Sequence, residues 1–207
     1  MNGRPPEIPP HKLISSLRGY NLLPAIVFLP TRRKCDEAAS EVAADKGQKT
    51  DLDKYERRRA MFDEYAAESP EVRKHKHAKI LVNAGVASHH AGHIPSWKLL
   101  IEKMMSAGLL NAIFATSTVA AGVDFPARTV VITNADTRGN DGWRPLSANE
   151  LHQMTGRAGR RRSGPMGVVE VLDLLGGAER HPGLAGLLAP LARLPGDERD
   201  VGVVARD

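Results

Sequence analysis

Five short apolar runs, separated by helix-prone stretches, constrain the fold of this chain more than any other feature. They lie at residues 25–29, 86–89, 112–116, 129–133 and 167–172. Each run is nearly continuous rather than alternating, which is typical of strands that are covered on both faces of a parallel sheet. Amphipathic helices are predicted over 32–45 and 95–110, so strand and helix alternate. The pattern predicts an α/β domain whose ligands bind beyond the carboxyl ends of the strands.

Two changes in composition along the sequence suggest how the chain is divided. Residues 48–79 are highly charged and helix-prone, with few large apolar side chains, and we interpret them as a helical excursion from the core. The basic run at 57–59 within this segment is expected to be a solvated helix face, because acidic neighbours neutralise it. The expected division is a lead-in over 1–24, the α/β domain over 25–175 and a short, truncated helical tail over 176–207.

The charge and the cysteine count narrow the functional class. With 29 basic and 24 acidic residues the net charge is +5, which favours an anionic partner. No apolar run approaches the roughly 20 residues that span a bilayer, so we expect a soluble, cytoplasmic chain without a membrane partner. The single cysteine, Cys35, excludes an internal disulfide and a Cys-based zinc site.

The strongest motif is Gln-Met-Thr-Gly-Arg-Ala-Gly-Arg-Arg, which begins at Gln153. Ser147 and Glu150 form a predicted capping box that starts its helix. On that helix, Gln153, Arg157 and Arg160 project from one face. A guanidinium group can donate two hydrogen bonds to two oxygens of one phosphate. An arginine beside a γ-phosphate also stabilises the charge that develops during phosphoryl transfer. The motif therefore predicts a phosphate-facing surface.

A second motif directly follows a predicted strand. The hydroxyls of Thr116, Ser117 and Thr118 can cap a short helix and donate to a phosphate. Gly122 permits a close approach, and Asp124 offers an acceptor for a ribose hydroxyl or an arginine. A strand followed by threonine and a helix is common in proteins. This motif therefore indicates a phosphate site only in combination with the motif that begins at Gln153.

Together and in this order, the two motifs resemble the second motor domain of superfamily-two helicases. Residues 28–32, Phe-Leu-Pro-Thr-Arg, are similar to the opening strand and phosphate-contacting turn of that domain. Residues 87–93, Ala-Ser-His-His-Ala-Gly-His, resemble the His-His-Ala-Gly segment of the superkiller-like DExH branch. The resemblance covers about residues 25–173. It implies a RecA-like three-layer fold, a mainly parallel sheet flanked by helices, that closes one side of an ATP cleft and forms half of a single-strand track.

The resemblance also implies roles for individual residues. Gln153, Arg157 and Arg160 would face the triphosphate, and Gly122 and Asp124 would make the ribose and coupling contacts. The residues implied at the nucleic-acid backbone are Thr31, Arg32, His90, Gly92 and Thr116. The implied substrate is ATP with Mg²⁺, whose protein ligands are expected on the first RecA-like domain. The implied partners are that domain and single-stranded RNA or DNA.

Four positions depart from the pattern of related branches. Gln153 and Met154 stand where DEAD-box proteins usually have His-Arg, which favours the DExH branch. Arg162 stands where a glycine often follows in the DExH branch. Asp124 occupies a position where many members of the DExH branch carry Asn. This difference bears on the assignment to that branch more than on the implied ribose and coupling contacts of Asp124.

Two motifs of a complete motor are missing from the chain. Residues 47–50, Gly-Gln-Lys-Thr, imitate a Walker loop but lack its second glycine and follow a predicted helix. Residues 36–39, Asp-Glu-Ala-Ala, imitate a DExH box but lie within a helix and end in alanine. We therefore predict a C-terminal helicase motor domain that does not hydrolyse ATP alone. The alternative is a stand-alone nucleic-acid-binding or regulatory module that kept the fold and lost hydrolysis.

The histidines and tryptophans suggest further sites. No carboxylate or thiol accompanies His89, His90 and His93 at ligand spacing, and neighbouring strand residues point to opposite faces, so no metal site is expected. Trp97 falls on the apolar stripe of a predicted helix and is expected in the core. Trp143, in a polar loop, is the better candidate for stacking on bases.

Overall fold

A five-stranded parallel sheet forms the centre of the computed structural model, which describes residues 9–19, 21–47, 51–117, 125–133, 136–139, 142–155 and 168–171. The strands are β1 (Ala25–Phe28), β2 (Val86–His89), β3 (Ala112–Ala115), β4 (Thr129–Ile132), β5 (Asp136–Gly139), β6 (Gly142–Pro145) and β7 (Val168–Val171). The sheet order is β2-β3-β1-β4-β7, and β5 and β6 form a separate antiparallel hairpin. All five predicted strands are confirmed to within one residue at each end.

Helices cover the sheet on both sides, as the continuous apolar runs predict. They are α1 (Pro10–Gly19), α2 (Arg32–Ala44), α3 (Leu52–Glu68), α4 (Ala78–Ala84), α5 (Pro95–Ser106) and α6 (Ala148–Thr155). A short 3₁₀ helix, Pro70–Lys74, follows α3. The RecA-like α/β fold expected from the sequence is confirmed.

The strands divide the core into two apolar clusters, because successive side chains of a strand point to opposite faces. In β1, Ile26 and Phe28 join the cluster under α3 and α5, whereas Ala25 and Val27 join the cluster under α1 and α2. The strands β3 and β4 alternate in the same way. The fold is therefore a three-layer sandwich with a hydrophobic core on each side of the sheet.

Local capping sets where the two predicted amphipathic helices begin and end. Thr31 starts α2, and its side chain accepts a hydrogen bond from the Lys34 amide. Helix α5 ends at Ser106 rather than at the predicted residue 110. Gly108 takes a left-handed conformation there, with φ 72°, and the Leu109 amide donates back to the Met104 carbonyl. This Schellman turn stops the helix before Leu109 enters the core. Trp97 is fully buried in α5, as expected.

The interpretation of residues 48–79 as an excursion from the core is wrong. The segment is helical as predicted, but Phe62, Ala66 and Val72 are buried in the larger apolar cluster. The expectation of a solvated face at 57–59 fails at Arg58, whose exposed fraction is only 2%. A few apolar residues at helical spacing are enough to seat α3 on the sheet, and the high overall charge of the segment conceals them.

Helix α1 lies in the segment assigned to a lead-in. Its Leu13, Ile14 and Leu17 are buried against α2, so part of this segment belongs to the folded unit. In the part of the chain that the structure describes, no helix is both long and apolar enough to cross a membrane.

Candidate functional site

The residues implied at the nucleic-acid backbone lie along one edge of the sheet. Parallel strands β2, β3 and β1 are neighbours, and their last residues, His89, Ala115 and Phe28, stand in register. The chain leaves these three ends through loops that carry the predicted contacts. Because the ends are aligned, the three loops begin at the same level of the sheet, and we call this row of residues the strand-end ledge. It comprises Thr31, Arg32, His90, Gly92 and Thr116.

Arg32 and Gly92 are the two exposed members of the ledge. They come from different loops and are nevertheless close: a Cβ on Gly92 would lie 3.4 Å from Cδ of Arg32 and 3.1 Å from Nδ1 of His90. The glycine therefore keeps a gap open beside the arginine. Thr31 and Thr116 are half-buried.

His90 is placed differently from the other members of the ledge. Its side chain is buried, with an exposed fraction of 4%, and its Nε2 lies 3.1 Å from Oδ1 of Asp36. The imidazole thus turns inward toward α2 and does not face the surface beside Gly92. His89, one residue earlier, points to the other side of the sheet and pairs with Glu102 on α5.

The nucleotide-facing residues fall only in part within the described residues. Gln153 is exposed on α6. The predicted capping box is confirmed: the Glu150 amide donates to Ser147 Oγ at 3.2 Å, and the Ser147 amide donates to Glu150 Oε2 at 2.9 Å. Arg157, Arg160, Gly122 and Asp124 lie outside the described residues, and so does the stretch between Thr118 and Asp124.

A second group of polar side chains, which the sequence did not predict, lies directly behind the ledge. Three separate parts of the chain supply it: α2, the turn before α4, and the end of β2 with its following loop. We call it the Asp36 cluster. Its members are Asp36, His75, Lys76, His77, Ser88, His90 and His93.

Backbone amides fix the proton positions of two imidazoles in this cluster. The Gly92 amide donates to His90 Nδ1 at 3.1 Å, so neutral His90 carries its proton on Nε2 and donates it to Asp36. The His77 amide donates to His75 Nδ1 at 3.2 Å, so neutral His75 carries its proton on Nε2. That proton points at Nδ1 of His93, 3.0 Å away.

The remaining protons follow from these two. Because His93 accepts at Nδ1, its own proton is on Nε2, which lies 2.9 Å from Ser88 Oγ. Ser88 has one hydroxyl proton and donates it to Asp36 Oδ1 at 2.6 Å. His77 must therefore donate to Ser88 through Nδ1, at 3.1 Å. Every bond is satisfied with neutral imidazoles, and both chains of hydrogen bonds end on one carboxylate oxygen.

The electrostatics of the cluster agree with this assignment. Burial would raise the pKa of the Asp36 carboxyl, but hydrogen bonds from Lys76, Ser88 and His90 outweigh it and hold the pKa well below its usual range. Burial, reinforced by neighbouring imidazoles, lowers the pKa of His93 to about 3. The same causes lower the pKa of His75 to about 4. At neutral pH the cluster thus holds an ionised Asp36 carboxylate beside neutral His75 and His93 imidazoles.

The stated ground for expecting no metal at these histidines is wrong. The missing carboxylate is supplied by Asp36, which is 54 residues before His90 in the chain. Ligand atoms of Asp36, His90 and His93 all lie within 4.8 Å of one another. The sequence placed Asp36 correctly on a helix, but nothing in its local pattern shows that this helix packs against β2.

Comparisons with known proteins agree with the resemblance seen in the motifs. The model of the helicase conserved C-terminal domain matches residues 57–162, about half of the chain. The chain is 40% identical over 150 residues to a chloroplastic DExH-box ATP-dependent RNA helicase of Arabidopsis thaliana, covering 70% of this chain and 12% of that protein.

Two further similarities point to the same branch. The chain is 36% identical over 165 residues to superkiller complex protein 2 of Homo sapiens, covering 77% of this chain and 13% of that protein. It is 32% identical over 165 residues to the human exosome RNA helicase MTR4, covering 76% of this chain and 15% of that protein. The chain thus spans only a small part of the length of these proteins.

Proposed function

Because the chain belongs to the helicase C-terminal domain family and is the C-terminal RecA-like domain of a superkiller-like DExH helicase, we propose that it supplies half of an ATP-driven RNA-unwinding motor. The other half, with the phosphate loop and the Mg²⁺ ligands, lies on the first RecA-like domain. RNA is the proposed substrate because the similar proteins from Arabidopsis thaliana and Homo sapiens are named RNA helicases.

The observation that carries this proposal is the alignment of the strand-end ledge. Three loops leave adjacent strands at the same level, which suits a surface that contacts successive phosphates of one strand. Phosphate contacts position a nucleic acid without reading its sequence. The proposed binding is therefore independent of sequence and sensitive to salt.

Within the ledge we assign different tasks to the exposed and buried members. Arg32 contacts a phosphate directly, and the open backbone of Gly92 lets the strand approach it. His90 acts from behind as a positioning residue, because its inward hydrogen bonds hold the turn that carries Gly92. Thr31 caps α2 and so fixes the direction in which Arg32 leaves the helix.

The nucleotide-facing side of the motor is proposed from the motif beginning at Gln153. The exposed amide of Gln153 is available to a nucleotide bound against α6. Arg157 and Arg160 stabilise the transferring phosphoryl group, and Gly122 and Asp124 contact the ribose and couple the two sites. ATP would then be bound between this wall and the first domain.

A pair of neighbouring arginines tests the ledge. Arg32→Ala should weaken binding of a labelled single-stranded RNA and reduce the slope of log K against log salt by about 0.7, the value for one lost phosphate contact. Arg33→Ala is the matched control, because Arg33 is 83% exposed and lies 3.6 Å from Glu37 on its own helix. Fluorescence anisotropy over a salt series measures both. Equal effects of the two variants would contradict the proposed track.

The choice of RNA is tested separately in the complete helicase. Strand displacement on RNA and DNA duplexes of matched sequence should show ATP-dependent unwinding of RNA. Unwinding of DNA alone would overturn the substrate, while leaving the ledge result intact.

A further inference from the structure

We propose that Asp36, His90 and His93 form a binding site for a divalent transition metal of the Zn²⁺ class. The ligand set is one carboxylate oxygen and two imidazole nitrogens, Oδ1 of Asp36 and Nε2 of each histidine. This combination of ligands suits Zn²⁺ and other first-row metals that accept nitrogen and oxygen. The site goes beyond the helicase function and does not rest on it.

The spacing of the three atoms fits one ion. Bonds of 2.0–2.1 Å in a tetrahedron place neighbouring ligand atoms about 3.3 Å apart. In the structure, Asp36 Oδ1 lies 3.1 Å from Nε2 of His90 and 3.5 Å from Nε2 of His93. One ligand atom of each residue also lies within 4.8 Å of the other two, so an ion could contact all three after the side chains rotate.

A fourth donor and a path for entry are also present. Ser88 Oγ lies 2.6 Å from Asp36 Oδ1 and 2.9 Å from His93 Nε2, so its hydroxyl adjoins the remaining position. The histidines are buried, but the Asp36 side chain is 19% exposed and opens the site to solvent.

A positive charge already lies beside the proposed ligands, but it does not contact the ligand oxygen itself. The Lys76 ammonium lies on the other oxygen of Asp36, Oδ2, at 2.6 Å, and it is 62% exposed and free to turn toward solvent as an ion enters.

Binding has a specific structural consequence because Nε2 carries the proton in the hydrogen-bonded network. Each ring must move that proton from Nε2 to Nδ1 before Nε2 can bind the metal. For His90 this removes the acceptor of the Gly92 amide, so that hydrogen bond must break. His75 must likewise shift its proton or turn away from His93. The affinity is therefore expected to be micromolar rather than nanomolar.

The direct test is a titration of the metal-free chain with Co²⁺, followed by displacement with Zn²⁺. We expect one saturable site per chain, with visible absorption bands of Co²⁺ bound to nitrogen and oxygen ligands. Asp36→Asn and His93→Gln should each weaken binding at least about 100-fold. Thermal unfolding in the presence of chelator checks that both variants fold. Absence of saturable binding to the unaltered chain overturns the proposal without reference to any variant.

Matched controls separate this site from general histidine binding. Glu37→Gln removes an exposed acid one residue from Asp36, and His11→Ala removes a histidine on α1 that pairs with Glu41. Both should leave Co²⁺ affinity within twofold. Loss of binding in either control, or retention in Asp36→Asn, overturns the assignment.

The amide of Gly92 provides a readout that a merely structural role would not move. In ¹⁵N-labelled protein, saturating Zn²⁺ should shift its resonance and accelerate its hydrogen exchange, because its bond to His90 is lost. The Gly47 amide, which donates to Asp45 Oδ1 at 3.0 Å, is the internal control and should not change. An unchanged Gly92 amide at full Zn²⁺ occupancy would exclude His90 as a ligand.

Discussion

The guanidinium of Arg58 donates to the carbonyl oxygen of Leu109, 51 residues further along the chain, at 3.0 Å. The same side chain donates to the carbonyls of Val82 and Asn83 near the end of α4, at 2.7 Å and 3.3 Å. One arginine thus joins α3, α4 and the turn after α5. A planar guanidinium has enough donors to satisfy all three acceptors at once.

Replacing Arg58 with methionine should lower the free energy of unfolding by about 2–4 kcal/mol, because buried carbonyls lose a charged donor. Arg58→Lys should recover little, since one ammonium cannot reach three separate acceptors in this geometry. Urea denaturation measures the change. Arg57→Met is the control: Arg57 is exposed and pairs only loosely with Asp53, so its effect should stay within about 0.5 kcal/mol. Similar losses in both variants would mean that the buried contacts of Arg58 do not stabilise the fold.

Gly85→Ala should destabilise the domain by about 2 kcal/mol. Gly85 has φ 64°, where an L side chain is strained, and its Cβ would lie 2.8 Å from Nη1 of Arg58. Gly19→Ala, on the last residue of α1 with open space around the new methyl group, should instead be neutral or slightly stabilising. Thermal unfolding distinguishes the two. In the double variant with Arg58→Met the losses should be less than additive, because the clash partner is gone. Strict additivity would argue against the contact.

The pair Arg144–Glu150 predicts a dependence of stability on pH. Hydrogen bonds from Arg144, helped by the Ser147 cap, lower the pKa of Glu150 from 4.5 to about 2. A lowered pKa in the folded state means that the stabilisation is complete above pH 4.5 and is lost as the pH falls toward 2. Glu150→Gln should therefore cost about 1 kcal/mol at pH 7 and progressively less in acid. Denaturation at a series of pH values tests this, with Glu37→Gln as an exposed control of constant, small effect. A penalty for Glu150→Gln that stayed the same down to pH 2 would rule out the ion pair as its source.

In the complete helicase, Arg157→Ala and Arg160→Ala should reduce ATP turnover by about 10³- to 10⁵-fold and weaken ATP binding much less. In the proposed role each guanidinium would stabilise charge that builds in the transition state, so lysine should not rescue turnover. Arg161 and Arg162 are the controls, since the helix predicted from the sequence motif would place them about 100° and 200° around its axis from Arg160. Steady-state kcat and KM for ATP measure all four variants. Equal losses of ATP turnover in all four variants would mean that these arginines form only a basic surface and have no specific role at the phosphate.

The fold followed from local patterns in the sequence. Continuous apolar runs mark strands buried on both faces, and the stripes that include Cys35 and Trp97 mark the helices behind them. Capping residues were equally readable: the box at Ser147 and Glu150 needs only a spacing of three. These features depend on residues that are close together in the sequence, so they can be predicted from one sequence alone.

The buried polar contacts could not be read in the same way. Arg58 looks like its exposed neighbours, and only the packing of α3 gives it carbonyl partners. The bond between Asp36 and His90 joins residues 54 positions apart, on a helix and a loop that meet through the sheet. The repeated histidines did signal the region, but the carboxylate that organises them depends on tertiary structure.

Side chains of β1 alternate between the two apolar clusters, so the register of this strand determines how the loops of the ledge line up. If β1 slid by one residue against β3 and β4, Phe28 and Val27 would exchange cores, and every side chain of the strand would face the wrong helices. The same slip would carry Thr31 and Arg32 about 3.3 Å along the strand direction relative to Gly92 and Thr116. The packing that makes the slip costly also holds the three loops level. Inserting or deleting one residue in this four-residue strand would therefore misalign the loops of the ledge, even though every ledge residue would still be present.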